Sequence, residues 1–316
     1  MAPLSDPSNG RARALLGASV LFLILPPIFV TLRIWARRLK RTPLCFNDYA
    51  IMAALLSTSG YNVLSIIGSV KGGGGQHVYT LTSSEVTVYA KISVAATTVW
   101  PTANTLVKIS VLHFYTKIFN TRMLASSAYA IGAVTLAFWL STVMTAFLIC
   151  RPFAFNWDKL MTNGYCGNLS AYYLSTGIVN LLIDVIIVAL PLPLLWGLQM
   201  KTSRKIALTA IFSLGALICI ISIVRIDAIN RLNYSDITYS VVLDSICTAL
   251  EPTLGVINAC LPLLQPVVSK CSGSTGPSNP TTSDNDADSF IDDLAQHSGI
   301  KVKQRVEIDS AVAPTL

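Results

Sequence analysis

The stretch Ala14–Trp35 reads ALLGASVLFLILPPIFVTLRIW, and its first charged residue is Arg33. A helix that crosses a bilayer needs about 20 consecutive, mostly apolar residues, and this stretch provides them. The rest of the 316-residue chain has the same character, since 53% of it is hydrophobic and only 12% is charged. A soluble domain usually carries about 25% charged residues. The sequence therefore predicts an integral membrane protein.

Apolar stretches of spanning length recur along the chain, and we predict an all-α polytopic membrane protein built as a seven-transmembrane-helix bundle. Residues 1–13 are predicted to form a short extracytoplasmic N-terminus, residues 14–270 the membrane domain, and residues 271–316 a polar, acidic, disordered cytoplasmic tail. The predicted spans are Ala14–Trp35, Tyr49–Val70, Val94–Phe114, Ser126–Leu148, Tyr172–Leu195, Lys205–Ile226 and Tyr239–Leu264.

The distribution of basic residues predicts the orientation of the bundle. The first loop carries the largest group of them, namely Arg33, Arg37, Arg38, Lys40 and Arg41. Because cytoplasmic loops carry an excess of Lys and Arg, we expect the N-terminus outside and the C-terminus in the cytoplasm. The formal net charge of +7 follows from these helix ends, and no basic patch with interleaved aromatics predicts a nucleic-acid partner.

Features of the even-numbered loops agree with this orientation. Cys150 and Cys166 both fall in the fourth loop, where an extracytoplasmic disulfide can form and persist. Asn168 and Asn233 begin N-x-S glycosylation sequons in the fourth and sixth loops. In the second loop, Thr82–Glu85 fits a capping box, which predicts that the third helix begins near Ser83.

Polar side chains inside the predicted spans are the candidate functional residues, because a charge at the bilayer centre costs about 2.5–3.5 kcal/mol and must find partners. Spacings of four, three and seven residues place several of them on one face of the seventh span. The candidates are Lys108 on the third span, Asn180 and Asp184 on the fifth, Arg225 on the sixth, and Asp244, Glu251 and Asn258 on the seventh.

Two interpretations of this polar core remain open. It is either a ligand pocket or proton-linked switch centred on Asp184 and Glu251, or an interhelical hydrogen-bond network that only holds the bundle together. For Lys108 a third interpretation applies, because its side chain is close enough to the inner boundary to extend out of the membrane. Similarly, Asn47 and Asp48 are interpreted as residues that cap the second helix.

Several function classes are not indicated. Hydrolase, metalloprotease and nucleotide-binding motifs do not occur, and the spacing of Cys and His predicts no metal site. A retinal cofactor is not expected, because residues 239–264 of the seventh span contain no lysine for a Schiff base.

An ordered set of short motifs supplies a family resemblance. In chain order these are the run Arg33–Arg41, Asn47-Asp48-Tyr49, Gly75-Gln76-His77, Lys108, Phe114-Tyr115, Cys150-Arg151-Pro152 with Trp157 and Cys166, Asp184 with Leu190-Pro191, Lys205, Gly215–Arg225, and Glu251 with Cys260-Leu261-Pro262. The chain resembles the fungal rhodopsin-domain family, a Pth-type group of receptor-like seven-helix membrane proteins that includes the satratoxin-cluster membrane proteins. Asn47 departs from the family, which often has a second Asp there.

The resemblance implies a receptor-like protein of a fungal plasma membrane or endomembrane. Our first hypothesis is that it senses a small molecule and signals to a cytoplasmic protein. The alternative is a membrane-embedded enzyme or accessory protein of secondary metabolism, in which Asp184 and Glu251 act as general acid and base. A transporter is less favoured, since no internal repeat is evident.

Overall fold

The structure is a computed structural model, and it describes residues 10–39, 46–118, 121–158, 161–192 and 202–271. Seven long helices occur within these ranges. They are α1 (Gly10–Leu39), α2 (Phe46–Lys71), α3 (Ser83–Ile118), α4 (Arg122–Leu148), α5 (Leu169–Ala189), α6 (Thr202–Asn230) and α7 (Val242–Cys271).

Short elements occupy the connections between these helices. Strands β1 (Cys150–Arg151) and β2 (Tyr165–Cys166) pair antiparallel after α4. Single 3-10 turns lie at Val78–Thr80, Phe153–Asn156 and Tyr234–Asp236, and a four-residue helix, Ile237–Ser240, precedes α7.

The helix ends differ from the sequence predictions in particular places. Helix α1 begins at Gly10, four residues before the predicted first span, and residues 1–9 of the predicted N-terminal segment lie outside the described residues. The predicted start of α3 near Ser83 is confirmed, and Glu85 Oε2 accepts a hydrogen bond of 2.9 Å from the Thr82 N–H. Other predicted features lie outside the described residues. These are Lys40 and Arg41, the end of the fifth predicted span with the loop that follows it (193–201), and the tail (272–316).

The chain is a multi-pass integral membrane protein. In the part that the structure describes, five helices are long and apolar enough to cross a bilayer, namely α1, α2, α4, α5 and residues Ile211–Asn230 of α6. Large apolar side chains on these helices point outwards, as Ile24, Leu56 and Ile220 do, while many buried side chains are polar. This distribution of apolar and polar side chains is the reverse of that in a soluble protein, and it suits a surface covered by lipid.

Helices α3 and α7 lie inside the bundle. Helix α3 packs against α2, α4, α5 and α7, and α7 packs against α1, α2, α3 and α6. Two hydrophobic clusters surround them, one holding Leu112, Tyr115 and Ile183 and the other holding Val107 and Val256. Their polar side chains therefore face other helices, where partners are available.

Candidate functional site

The polar core begins at Lys108 on α3, which binds two side chains of α5. Its Nζ lies 3.1 Å from Asp184 Oδ1 and donates a 2.7 Å hydrogen bond to Asn180 Oδ1. The Asn180 Nδ2 group donates to Asp184 Oδ2 at 3.1 Å and also to Glu251 Oε1 on α7. Asn180 therefore joins the lysine–aspartate pair to the carboxylate of α7.

The core continues from Glu251 to α6. Arg225 Nη1 lies 3.2 Å from Glu251 Oε2, and Ser222 Oγ donates to Glu251 Oε1 at 3.3 Å. Arg225 Nε is 3.4 Å from Asp244 Oδ1, and its guanidinium lies 3.9 Å from the centre of the Trp100 ring. Side chains of α3, α5, α6 and α7 thus form one connected chain, which we call the polar relay: Lys108, Asp184, Asn180, Glu251, Ser222, Arg225 and Asp244.

Most of the residues predicted for the site meet in the polar relay, with three differences in detail. Lys108 does not extend to the membrane surface, because it is only 5% exposed and bound within the bundle. Asp184 and Glu251 each have their own cation, and Asn180 lies between them. Asn258 is buried but forms no bond to the relay, and its Oδ1 has no partner among the described residues.

One end of the relay lines a cavity of about 150 Å³, which we call the outer cavity. Arg225 and Asp244 line it together with five aromatic residues, namely Tyr61, Tyr89, Trp100, Tyr172 and Tyr173. Leu232, Ile237 and Val241, from the connection between α6 and α7, complete the lining on the side of the even-numbered loops.

The other end of the relay lines a smaller cavity of about 40 Å³, the inner cavity, which Lys108 and Asp184 line together with Asn258. This volume holds one water molecule or little more. The polar relay therefore connects two cavities at different depths of the bundle.

The connection between α6 and α7 is fastened to the glycine-rich loop after α2. Gly75 N–H donates to Thr238 O at 2.8 Å, and Thr238 Oγ1 donates to Gln76 O at 2.8 Å. Gly75 has a φ of +91°, and a Cβ there would lie 2.6 Å from the Ala12 Cα, so glycine is required. We call this fastening the strap.

A hydrogen bond between a histidine and an aspartate completes the strap. His77 Nδ1 binds Asp236 Oδ2, the His77 ring stacks 3.9 Å from the Tyr239 ring, and Val78 N–H donates to Asp236 Oδ1 at 2.9 Å. Burial raises the pKa of Asp236, but the hydrogen bonds from Val78 and His77 outweigh it, so this pKa lies below its ordinary value.

The fourth loop carries the remaining predicted residues. Cys150 and Cys166 form a disulfide, which closes the strand pair. Asn168 caps α5 by accepting from Ala171 N–H at 3.0 Å, and Asn233 accepts from Ser235 N–H at 3.0 Å. Both asparagines are exposed, and their glycosylation stays a prediction.

A second buried ionic cluster was not predicted. Arg33 Nη2 and Arg37 Nε both lie 2.9 Å from Asp48, and Arg33 Nη1 donates to Ala259 O of α7 at 2.6 Å. Asp48 therefore binds α1 and is buried, and Asn47 contacts Ser110 of α3, so neither residue is the simple helix cap that we expected. The overlooked signal was Arg33 itself, an arginine inside a predicted span.

The described residues include no group of three or more His, Cys, Asp or Glu side chains placed to hold a metal ion. Each carboxylate of the polar relay instead has a basic side chain beside it.

Comparison with known proteins identifies the family. The sequence profile of the fungal rhodopsin domain matches residues 32–270, which include every residue of the polar relay. The chain belongs to this family. No solved structure was found to match this fungal rhodopsin-domain protein.

Curated relatives are also similar to the chain. Receptor GIN3 of Arthrobotrys oligospora is 28% identical over 77% of this chain and 59% of its own length. A SAT4 family membrane protein of Emericella nidulans is 30% identical over 65% and 52%. Satratoxin biosynthesis SC1 cluster protein 4 of Stachybotrys chartarum is 25% identical over 55% and 63%. The chain spans between about half and two thirds of the length of these three relatives, and the family is one of receptor-like fungal membrane proteins.

Proposed function

We propose that this fungal rhodopsin-domain protein is a receptor that binds a small molecule in the outer cavity and signals to a cytoplasmic protein. In this proposal all seven long helices cross the membrane, with the N-terminus outside and the C-terminus in the cytoplasm, and the protein carries no retinal. The name of one relative, Receptor GIN3, agrees with this function.

The position of Arg225 carries the proposal. It lines the outer cavity and binds Glu251, which reaches Asp184 and Lys108 through Asn180. A molecule that changes the contacts of Arg225 therefore changes a set of ion pairs that joins four helices. Ion pairs in a membrane interior are stronger than in water, so such a change can shift helices relative to each other.

Packing of α3 and α7 supports seven spans. Each packs against three helices that are apolar enough to cross the bilayer, which supports a course beside them through the same layer. Backbone groups at that depth require helical hydrogen bonding, which both helices have. The disulfide and the two sequons lie on the side that the basic residues mark as outer.

The receptor proposal is tested in cells that express the chain and report a response to extracellular small molecules. We expect Glu251→Gln and Asp184→Asn to reach the membrane but lose the response, because each removes a charge from the relay. Asp227→Asn is the matched control, since the exposed Asp227 carboxylate on α6 pairs with Arg231, an exposed residue just after that helix. Wild-type responses of both relay variants to every active stimulus would refute the proposal.

The proposed topology has its own test. In a variant without Asn168 and Asn233, a single N-glycosylation site is introduced into each connection in turn. We expect glycosylation only in the second, fourth and sixth loops and before α1. Modification in the first, third or fifth loop would contradict the orientation.

The second candidate function is that of a membrane-embedded enzyme or accessory protein in a biosynthetic pathway. The name of the Stachybotrys chartarum relative, a satratoxin biosynthesis cluster protein, favours it. Untargeted metabolite profiling of a deletion strain beside its parent separates the two functions. Loss of one product with accumulation of one precursor favours the biosynthetic role, whereas shifts across many pathways that depend on conditions favour the receptor.

A further inference from the structure

We propose that the outer cavity binds an organic cation, a protonated amine on a small aromatic or apolar body, and that Asp244 is its counter-ion. This inference rests on the proposed ligand-binding function and adds the chemical class of the ligand. It follows from the charges, the ring surfaces and the volume of the cavity.

Charge is unbalanced within the polar relay. Its carboxylates are Asp184, Glu251 and Asp244, and its cations are Lys108 and Arg225. The shorter contacts, of 3.1 and 3.2 Å, match Lys108 with Asp184 and Arg225 with Glu251. Asp244 is left with the longest contact, 3.4 Å to an arginine that already has a partner.

Asp244 is also the carboxylate that the cavity reaches. Its side chain is 20% exposed, compared with 1% for Glu251, and it lines the outer cavity. A ligand cation that contacts Asp244 would bring the number of positive charges level with the number of carboxylates. An anionic ligand would increase the imbalance, so the site disfavours carboxylates and phosphates.

The cavity wall suits the rest of such a ligand. Five aromatic side chains line it, and the faces of aromatic rings attract cations, as the Arg225 guanidinium over Trp100 already shows. The volume of about 150 Å³ matches cavities that hold benzene, which limits the body to about one ring.

The inference is tested with three probes that share one body and differ in charge: 2-phenylethylamine, 2-phenylethanol and phenylacetate. Binding to the purified full chain in lipid nanodiscs is measured by calorimetry, with empty nanodiscs subtracted. We expect the amine to bind at least about tenfold more tightly than the alcohol, since a charged hydrogen bond contributes about 1.5–3 kcal/mol, and phenylacetate to bind more weakly still.

Four variants then separate the ligand class from the pocket. Asp244→Asn should weaken binding of the amine by about tenfold or more, while Asp244→Glu keeps the charge and should retain binding. Asp227→Asn, which removes a surface carboxylate of α6, should change nothing. Thr97→Phe fills the cavity and should abolish binding of the amine and the alcohol alike.

The outcomes distinguish two failures. If Thr97→Phe abolishes binding but the alcohol binds as tightly as the amine, or Asp244→Asn has no effect, the cavity is a binding site and the cation inference is wrong. If no probe binds the wild-type chain, or if Thr97→Phe leaves binding unchanged, the inference fails together with the assignment of the pocket to this cavity.

Discussion

Replacement of Glu251 by Gln tests whether the polar relay stabilises the bundle. The substitution keeps the size and an oxygen acceptor for Ser222, but it removes the negative charge 3.2 Å from Arg225. Both side chains of that pair are almost fully buried. Removing the only partner of a buried charge costs about 3–5 kcal/mol.

Arg225 keeps one other carboxylate, Asp244, at 3.4 Å, so we expect only part of that cost. An ordinary interhelical hydrogen bond in a membrane protein contributes about 0.6 kcal/mol, which sets the lower limit. The free energy of unfolding of Glu251→Gln should therefore fall by about 2 kcal/mol, or roughly a thirtyfold change in the unfolding equilibrium.

Unfolding in mixed detergent micelles, followed by circular dichroism, provides the measurement. Ser222→Ala removes the hydrogen bond that a neutral hydroxyl donates to the same carboxylate, and it should cost about 0.6 kcal/mol. Asp227→Asn, on the surface of α6, should stay within about 0.5 kcal/mol of the wild type. The reasoning is refuted if Glu251→Gln is as stable as the wild type, or if it loses no more stability than Ser222→Ala.

Three further predictions concern the connections between helices. Cys150→Ser opens a disulfide with a sequence separation of 16 and should lower the free energy of unfolding by about 3 kcal/mol; a reducing agent should then have no further effect on the variant. Gly75→Ala forces a side chain into a left-handed backbone position against α1 and should lower the free energy of unfolding by more than about 2 kcal/mol. The control Gly17→Ala, whose side chain meets open space, should not lower it. Equal costs for the two variants would contradict the requirement for glycine at position 75. Because the pKa of Asp236 is lowered in the folded protein by its bonds, including the one from His77, its contribution to stability is present at neutral pH and lost as the pH falls through that lowered pKa. Thermal unfolding measured at several pH values should therefore show that Asp236→Asn loses less stability than the wild type as the pH falls through that pKa. Identical pH profiles of the two proteins would exclude the bonds of Asp236 as a source of stability.

The sequence was sufficient to predict which helices supply the charged residues of the polar relay, because depth and helix face follow from spacing. A helix rises 1.5 Å per residue, which places Asp184 and Glu251 at similar depths in their predicted spans. The four-residue spacing places Asn180 beside Asp184. The bridge by Asn180 was not predictable. Which carboxylate takes which cation depends on side-chain rotamers and helix rotation, and neither follows from spacing along one helix.

The outer cavity was missed for a different reason. Tyrosine and tryptophan also occur where spans meet the membrane surface, so Tyr61, Tyr89 and Trp100 gave no sign in the sequence of facing a cavity. Arg33 was misjudged because it stands at the end of a span, next to arginines that do mark topology. In the structure it is 1% exposed and fastens α1 to α2 and α7.

The strap has a consequence for the rate at which a ligand can exchange. Leu232, Ile237 and Val241 form one wall of the outer cavity, and hydrogen bonds between their connection and the Gly75–Val78 segment hold that wall in place. A molecule that enters or leaves past this wall must wait until several of these bonds open together. The residence time of the ligand would then be set by the opening of the protein, on a scale of microseconds to milliseconds or slower. Two ligands of very different affinity would leave at similar rates.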